Sequence, residues 1–576
     1  MMSIEPTPLP IPPKRSAVEL IKENSRQLRG TLAEELATDS DHFNDQDKQL
    51  VKFHGSYQQD DRDARKDRHR EGAGKAYNFM VRCKIPGGKL TAQQYLTVDR
   101  IAEAYANGTL RITSRQGFQL HGVLKSNLKQ SIRDINDSLL TTLGACGDVS
   151  RNVMAPPAPF ASPVYRELQR HADFIAQHFA PRSKAYHELW LNGEPVANAS
   201  GSLEIVDEPI YGKLYLPRKF KVGFALPSDN SVDIFAQDLG FLAHIENAAI
   251  VGYDVYAGGG MGMTHGNENT FPHIAQAICQ IAPDQLVAAA EAVIKLFRDH
   301  GNRADRKRAR LKYVLHDWGI GKFREVLQTY LPFPLVLPKN VAVTGFPLHL
   351  GWHDQGDGKF FYGISIENGR IKDEGDFRLR TVLRKLIEKF QPNIRLTPMQ
   401  DILLCDLPQT AKPLINRMLT VHGITKPDKI SLVQAHSMAC PAIPTCGLAL
   451  SEAERAMPAL IDDFEAVLVR LGLDQEKIGI RMTGCPNGCV RPYQSDIGIV
   501  GRSGDKYTLF VGGNLVGSRL NFVLKDLVPM GEIVPTLVPL LQDYKIQRQG
   551  GEGFGDYCQR LGPDAVRALI PASGVA

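Results

Sequence analysis

Apolar and polar positions along this chain alternate with two periods, and each change of period marks an element. Residues 77–85 read as a strand that ends at the Pro86-Gly87-Gly88 turn, with the folded region expected to start near Ala76. Thr91-Ala92-Gln93-Gln94 has the spacing of a helix start, and Leu96, Ile101, Ala102 and Tyr105 then fall on one helical face. Asn107-Gly108 is a common stop for such a helix. Strands are expected at 110–113 and 118–124, then a helix over 128–143 capped by Asn127 and closed by Gly144. Upstream, Ser16-Ala17-Val18-Glu19 reads as a capping box opening a helical stretch to about Ala37, which Gly30 interrupts. Five prolines in the first thirteen residues predict an extended, disordered tail. Residues 60–70 mix both charge signs and are expected to form a solvated, partly mobile surface segment.

The same order of elements returns. Strand 359–366, the Asn368-Gly369 turn, helix 377–390, strands 394–397 and 402–405 and a helix over about 413–422 repeat the first unit. Residues 111–116 match 395–400 at an offset of 284, and Gly88 matches Gly369 at an offset of 281. Agreement to within three residues identifies a repeated β-α-β-β-α unit. A weaker pair sets Asp238-Leu239-Gly240 and the glycine run 258–262 against Asp496-Ile497-Gly498 and 512–517. The expected fold is therefore α+β and pseudo-twofold, each small unit being followed by a larger α/β unit.

Composition narrows the function classes. At about 150 residues per domain, 576 residues predict three to four domains. With 68 Lys and Arg against 63 Asp and Glu, the net charge of +5 is too balanced for a chain devoted to nucleic acid or acidic membranes. No stretch is apolar for 18 residues, and the N-terminus lacks the apolar core of a secretory signal. An odd nine cysteines in a chain of this length predict free or metal-bound thiols in a reducing cytoplasm.

The two copies differ where chemistry would sit. The first small unit carries Arg82, Lys84, Arg111, Arg115 and His121, whereas Arg82, Lys84 and Arg115 correspond to Gly363, Ser365 and Met399 in the second. Lys219 and Lys221 fall in the first large unit, and the paired cysteines Cys440, Cys446, Cys485 and Cys489 all fall in the second. One half would supply cations and the other a metal, with a single site between them. Four thiolates in two tight pairs suit an iron–sulfur cluster or zinc, or are simply buried small hydrophobes. The basic run 303–312 has six cations. It reads as a solvated face, a nucleic-acid patch or a site for a polyanion, which arginines bind through paired hydrogen bonds. Neither a G-x-G-x-x-G after a strand nor a Walker loop is present, so a redox enzyme of this sequence would receive its electrons from another protein.

Cys440-x5-Cys446 followed by Thr483-Gly-Cys-Pro-Asn-Gly-Cys489 resembles the signature of the nitrite and sulfite reductases that carry sirohaem and a [4Fe–4S] cluster. Residues 53–59 (FHGSYQQ), 111–121 (RITSRQGFQLH), 216–221 (LPRKFK) and 301–307 (GNRADRK) resemble the sulfite reductase haemoproteins of that family. The resemblance implies six-electron reduction of sulfite to sulfide. Cys440, Cys446, Cys485 and Cys489 would hold the cluster, with Cys489 also bridging to the sirohaem iron. Arg82, Arg151, Lys219 and Lys221 would bind sulfite. Arg111, Arg115, Arg303, Arg306 and Lys307 would meet the sirohaem carboxylates, with Thr113, Gln119, His121, Asn302 and Gln400 near the macrocycle. The implied organisation is an N-terminal extension (1–74) contacting the donor, ferredoxin-like half-units at 75–147 and 346–425, and cofactor-binding units at 148–345 and 426–576.

The sequence departs from the family pattern at Gly447, where relatives often place proline, and at Met399-Gln400-Asp401, which replaces a usual Asn-Gln-Asn. Paired Lys219 and Lys221 favour sulfite over nitrite. Residues 551–556 resemble haemoproteins fed from NADPH by an FAD- and FMN-containing flavoprotein subunit; 143–148 and 489–493 resemble ferredoxin-dependent forms. Neither nucleic acid nor membrane is expected as a partner. A zinc-stabilised nucleic-acid-binding protein is the contrasting class.

Overall fold

The computed structural model of the protein describes residues 14–192 and 207–570, so the proline-rich tail expected at 1–13 lies outside the described residues. Thr91 opens the helix Ala92–Tyr105 as its spacing predicts, accepting from the Gln94 N–H while the Gln94 side chain accepts from the Thr91 N–H at 3.0 Å. Tyr95, Val98, Ile101 and Ala102 on that helix are fully buried, and the Tyr95 ring packs edge-on against Phe118 of the sheet. Each such large side chain contributes roughly 1.5–3 kcal/mol through burial.

The first sheet is antiparallel, in the order Ser56–Asp60, Tyr77–Arg82, Phe118–Val123, Leu110–Ile112, Arg370–Ile371. The second runs Gly351–Asp354, Phe360–Ile364, Ile402–Leu407, Asn393–Leu396, Lys89–Leu90. Each unit thus lends the other the short strand that follows its glycine turn. Arg370 pairs opposite Arg111, and Lys89 opposite Arg395. The exchange explains why both turns end in glycine. Gly88 and Gly369 have φ of +73° and +76°, and a Cβ there would lie 2.4 Å from the Leu396 carbonyl oxygen and 2.3 Å from that of Ile112. No other residue tolerates that approach.

The larger units also correspond. Val222–Ala225 runs parallel to Leu239–Glu246, and antiparallel Ala249–Ala257 and Gln276–Ile281 follow. In the second copy Ser437–Ala439, Ile480–Thr483 and Ile497–Ser503 run parallel, and Lys506–Val511 and Phe522–Pro529 complete the sheet antiparallel. Gly259 and Gly513 each press against carbonyl oxygens, 2.4 Å and 2.3 Å from where a Cβ would stand. One continuous core joins both half-units to the first large unit, and a second fills the cysteine-bearing unit.

Three expectations need correction. The folded chain begins well before Ala76, because Ser56–Asp60 is a sheet strand and Ala17–Glu23 a packed helix. Ser16 makes no side-chain cap, since Glu19 turns inward to pair with buried Lys22 and with Arg303; the helical stretch ends near Ala37 as expected, but its break runs from Asn24 to Thr31 between helices Ala17–Glu23 and Leu32–Leu36, rather than falling at Gly30 alone. The helix expected over 128–143 is Lys125–Asp137. Leu139 takes φ +63° and the Leu140 N–H bonds back to the Ile135 carbonyl at 3.2 Å, a left-handed helix end made without glycine.

Candidate functional site

Parallel pairing of Ser437–Ala439 with Ile480–Thr483 brings the ends of two strands side by side, with Ala439 opposite Met482. Cys440 follows the first strand and Cys485 the second, and Cys446 and Cys489 lie farther along the two loops. The second loop is packed too tightly for side chains at its glycines. A Cβ on Gly484 would meet the Ser451 carbonyl oxygen at 2.5 Å, and one on Gly488 (φ +59°) the Met261 carbonyl oxygen at 3.0 Å. The Gly484 N–H points at Cys440 Sγ (3.4 Å) and the Asn487 amide at Cys485 Sγ (3.4 Å).

Burial, reinforced by the neighbouring thiols, pushes Cys440 and Cys446 up and Cys485 up to about 12. Such thiols become thiolates together only when a metal supplies the compensating charge. Among the described residues, no three His, Cys, Asp or Glu groups are spaced to hold a single metal ion. The donor set, with N–H groups aimed at sulfur, fits an iron–sulfur cluster.

The cations come from the other half. Arg82 closes strand Tyr77–Arg82, where it donates to Cys146 Sγ at 2.9 Å and lies 5.9 Å over the Tyr57 ring. With its amide in the satisfied orientation, Gln119 accepts from Arg82 Nε at 3.1 Å. Arg151 donates to the Gly147 and Ala145 carbonyls at 2.8 and 3.3 Å, so both arginines bracket one loop. Lys219 and Lys221 lead into Val222–Ala225, and no partner among the described residues meets either ammonium. Burial, then the charges of Arg310 and Arg218, lowers Lys219 to about 7. Burial, then Lys219 and Arg115, pushes Lys221 well below its ordinary value. Of the four cysteines, Cys489 is the electrostatic neighbour of both Arg82 and Lys219, so the cation group and the cysteine group meet there.

Unpartnered cations held together in a partly closed space call for an anion. Orphaned atoms nearby point the same way. His121 is buried with neither ring nitrogen bonded, and Arg115 Nε has no acceptor, although its other nitrogens reach Gln237 Oε1 (2.7 Å) and the Val222 carbonyl (3.1 Å). Thr113 Oγ1 shapes the turn by accepting from the N–H groups of Arg115 (3.3 Å) and Gly117 (3.2 Å). These residues fit a large, polycarboxylate cofactor lying between the halves.

Other predicted contacts are occupied by protein groups. Arg303 pairs with Glu19 and donates to the Tyr215 carbonyl at 2.8 Å; Arg306 forks onto Asp148 at 2.8 and 3.0 Å. Arg111 pairs with Glu454 at 2.8 Å and donates to the Ala439 carbonyl at 2.8 Å. Gln400, in its satisfied orientation, accepts from Arg111 at 3.0 Å. Asn302 uses its side chain to accept from the Ala304 and Asp305 N–H groups, and Lys307 is exposed.

Sequence reasoning missed several residues that organise the site. Arg310 forks onto Asp238, whose other role is to accept from the Lys221 backbone N–H at 2.9 Å. Its signal was present in the basic run and in the repeated Asp238. Glu454, held by Arg111 and Arg370 from the two half-units, had no signal.

Two small cavities have none of the four cysteines in their lining, and both are lined by Met399 and Asp401. Asp401 is buried, and desolvation, opposed by one bond from the Ile366 N–H, raises its carboxyl to about 7. A carboxyl whose folded value lies above its unfolded value near 3.9 keeps its proton while the unfolded chain loses one. Stability therefore falls as pH rises from about 4 to about 7 and is flat beyond. Asp401→Asn should abolish that slope and raise the unfolding midpoint at pH 8. Denaturant titrations at pH 5 and pH 8 check it, and an unchanged slope would count against the assignment.

The family model described as the nitrite and sulphite reductase 4Fe-4S domain matches residues 171–335 and 436–573. That of the nitrite/sulfite reductase ferredoxin-like half domain matches 70–138 and 353–421, the two halves of the exchanged sheets. A sulfite reductase [NADPH] hemoprotein beta-component of Staphylococcus haemolyticus is 43% identical, over 95% of each chain. A sulfite reductase [ferredoxin] of Synechococcus elongatus is 42% identical, over 97% of this chain and 92% of its own. The solved structure of the Mycobacterium tuberculosis NirA protein superposes with a TM-score of 0.78 at 25% identity, covering 96% of this chain and 97% of that one. With its four cysteines, its exchanged half-units and these matches along nearly its whole length, the chain belongs to the nitrite and sulfite reductase family, whose members carry sirohaem and a [4Fe–4S] cluster.

Proposed function

We propose that the protein is an assimilatory sulfite reductase, reducing sulfite to sulfide with six electrons. The observation that carries this reading is the pair of unpartnered ammonium groups, Lys219 and Lys221, set with Arg82 and Arg151 on the Cys489 side of the thiols. Cys440, Cys446, Cys485 and Cys489 would hold the cluster, while Arg115, His121, Lys307 and Gln119 would meet the sirohaem. When bound, the two groups supply the site for the anion and the route for single electrons. The chain's own part is to bind and protonate. Arg82 and Arg151 are held by Cys146 and by loop carbonyls, so their charges are fixed rather than mobile when an oxyanion arrives. Lys219, at about 7, can give up and regain a proton near neutral pH as S–O bonds break.

Electrons would come from NADPH, which the name of the Staphylococcus haemolyticus relative carries, through the separate flavoprotein subunit that the resemblance of residues 551–556 implies. The Synechococcus elongatus relative supports ferredoxin as the second reading. A reducing cytoplasm would keep all nine cysteines out of disulfides, leaving four for the cluster. Among the described residues, no helix is long and apolar enough to cross a membrane.

Turnover of sulfite and of nitrite by one preparation, with each donor in turn, tests the reading; better efficiency with nitrite would overturn the substrate. Lys221→Met should keep both cofactor spectra while sulfite turnover falls about tenfold to hundredfold, the equivalent of one charged hydrogen bond of ~1.5–3 kcal/mol. Turnover within about twofold of wild type would remove Lys221 from the sulfite site.

A further inference from the structure

The mixed-charge segment after strand Ser56–Asp60 lies at the surface, as its composition predicts, but its first residues are bound to the cysteine loop. The Arg62 N–H donates to the Pro444 carbonyl at 3.2 Å, and its Nη1 donates to the carbonyls of Cys446 (3.1 Å) and Ala449 (3.0 Å). Asp63 forks with Arg455, eight residues past Gly447, at 2.6 and 3.2 Å. Asp61 shapes the turn between them by accepting from the N–H groups of Asp63 (2.9 Å) and Ala64 (3.3 Å). The edge strand of the first sheet thus ends in a strap across the loop of the other half. Internal bonds (Cys446 N–H to the Ala442 carbonyl, 2.8 Å) and bonds from the Leu450 and Ser451 N–H groups to the Gly484 carbonyl (2.7 and 3.1 Å) hold the two ends of that loop, and Arg62 is the cation bonded to its carbonyls between them. Gly447 faces open space, and Leu448 is 67% exposed.

We propose that Arg62 is a positioning residue that fixes the Cys446 loop and, through its charge, raises the reduction potential of the cluster held there. The inference rests on Cys446 being a cluster ligand. The physical reason is simple. One-electron reduction adds a negative charge to the cluster, and a guanidinium fixed on the ligand's own carbonyl stabilises the charged product more than the reactant. No proton or bond change accompanies the step; the electron passes from the donor protein to the cluster. The two carbonyl bonds hold the charge in place and keep the loop closed over the sulfur.

The test is a redox titration of the full-length holoprotein, without sulfite, following the cluster by electron paramagnetic resonance. Arg62→Gln keeps amide donors and removes the charge; Arg62→Lys keeps the charge. The expected result is a lower potential for Arg62→Gln, shifting the donor–cluster equilibrium about tenfold against reduction, about 59 mV for one electron. Arg62→Lys should stay near wild type. An unshifted Arg62→Gln, with its cluster intact, overturns the proposal. Where Arg62→Gln cannot retain the cluster, Arg62→Lys decides. A cluster retained at the wild-type potential supports the charge role, and a cluster lost or strongly shifted there as well overturns it. A wild-type protein lacking the [4Fe–4S] signal would instead defeat the ligand assignment itself.

Discussion

Replacing Asp233 with alanine is expected to destabilise the fold by about 3–5 kcal/mol, the cost of leaving a buried charge without its partner. Asp233 has no exposed surface, and its carboxylate accepts from Arg481 Nη1 (2.9 Å) and Nη2 (3.3 Å) and from Arg491 Nε. Both arginines are buried to within 4% of full enclosure, so truncation strands two guanidinium groups away from water. Asp233 and Arg491 are themselves pseudo-twofold counterparts. Each has positive φ (+50° and +62°) and each opens a short helical turn, Ile234–Ala236 and Pro492–Gln494. The ion pair therefore ties the two large units at matching points. It also reaches the site: Arg491 Nη1 donates to the Ser114 carbonyl at 3.2 Å, and Ser114 Oγ donates to the Cys489 carbonyl at 3.2 Å. A loss of that size is a third or more of the total for many domains, which hold about 5–15 kcal/mol. Asp233→Ala should thus unfold at clearly lower denaturant and lose cofactor on purification. A shift worth less than about 1 kcal/mol would show that the arginines find other acceptors.

That pair shows where sequence reasoning stops. The repeat was legible because glycine at Gly88, Gly369, Gly259 and Gly513 answers a local demand, a carbonyl oxygen pressed against the Cα, and both copies keep it. Donor types were legible too, since four paired cysteines admit few chemistries. What was not legible is which charge meets which. Glu19 finds Arg303, Arg111 finds Glu454 and Asp233 finds Arg491 across hundreds of residues, and no local spacing records such choices. Hence the basic run looked free for a polyanion, whereas Arg303 and Arg306 are matched by protein carboxylates. The strand exchange was hidden for the same reason, because a two-residue strand has no period to read. Leu139 shows a different limit. An exposed leucine takes the left-handed conformation that sequence rules reserve for glycine or asparagine, while the next residue, Leu140, is buried and bonds back to the Ile135 carbonyl.

The largest effect on turnover is expected from Cys489→Ser, which should reduce sulfide production to background. Cys489 differs from the other three thiols in its surroundings. It is exposed, whereas Cys440 and Cys485 are buried and Cys446 is half-buried. It is also the thiol that shares its neighbourhood with Arg82 and Lys219 from the opposite half. Its backbone is fixed independently of any metal, by Ser114 on its carbonyl and by the packed Gly488 before it. Serine would therefore occupy the same place. The change is chemical: a hard, basic oxygen replaces the soft, polarisable thiolate that iron–sulfur centres favour. If Cys489 serves both centres, the substitution breaks electron delivery to the anion site even where Cys440, Cys446 and Cys485 still retain iron. The measurement pairs sulfide production from an artificial donor with spectra of both centres on the same sample. Sulfide production near wild type, with the coupled spectrum intact, would show that another residue joins the two centres. A protein that folds, keeps sirohaem absorption and makes no sulfide would place the junction at Cys489.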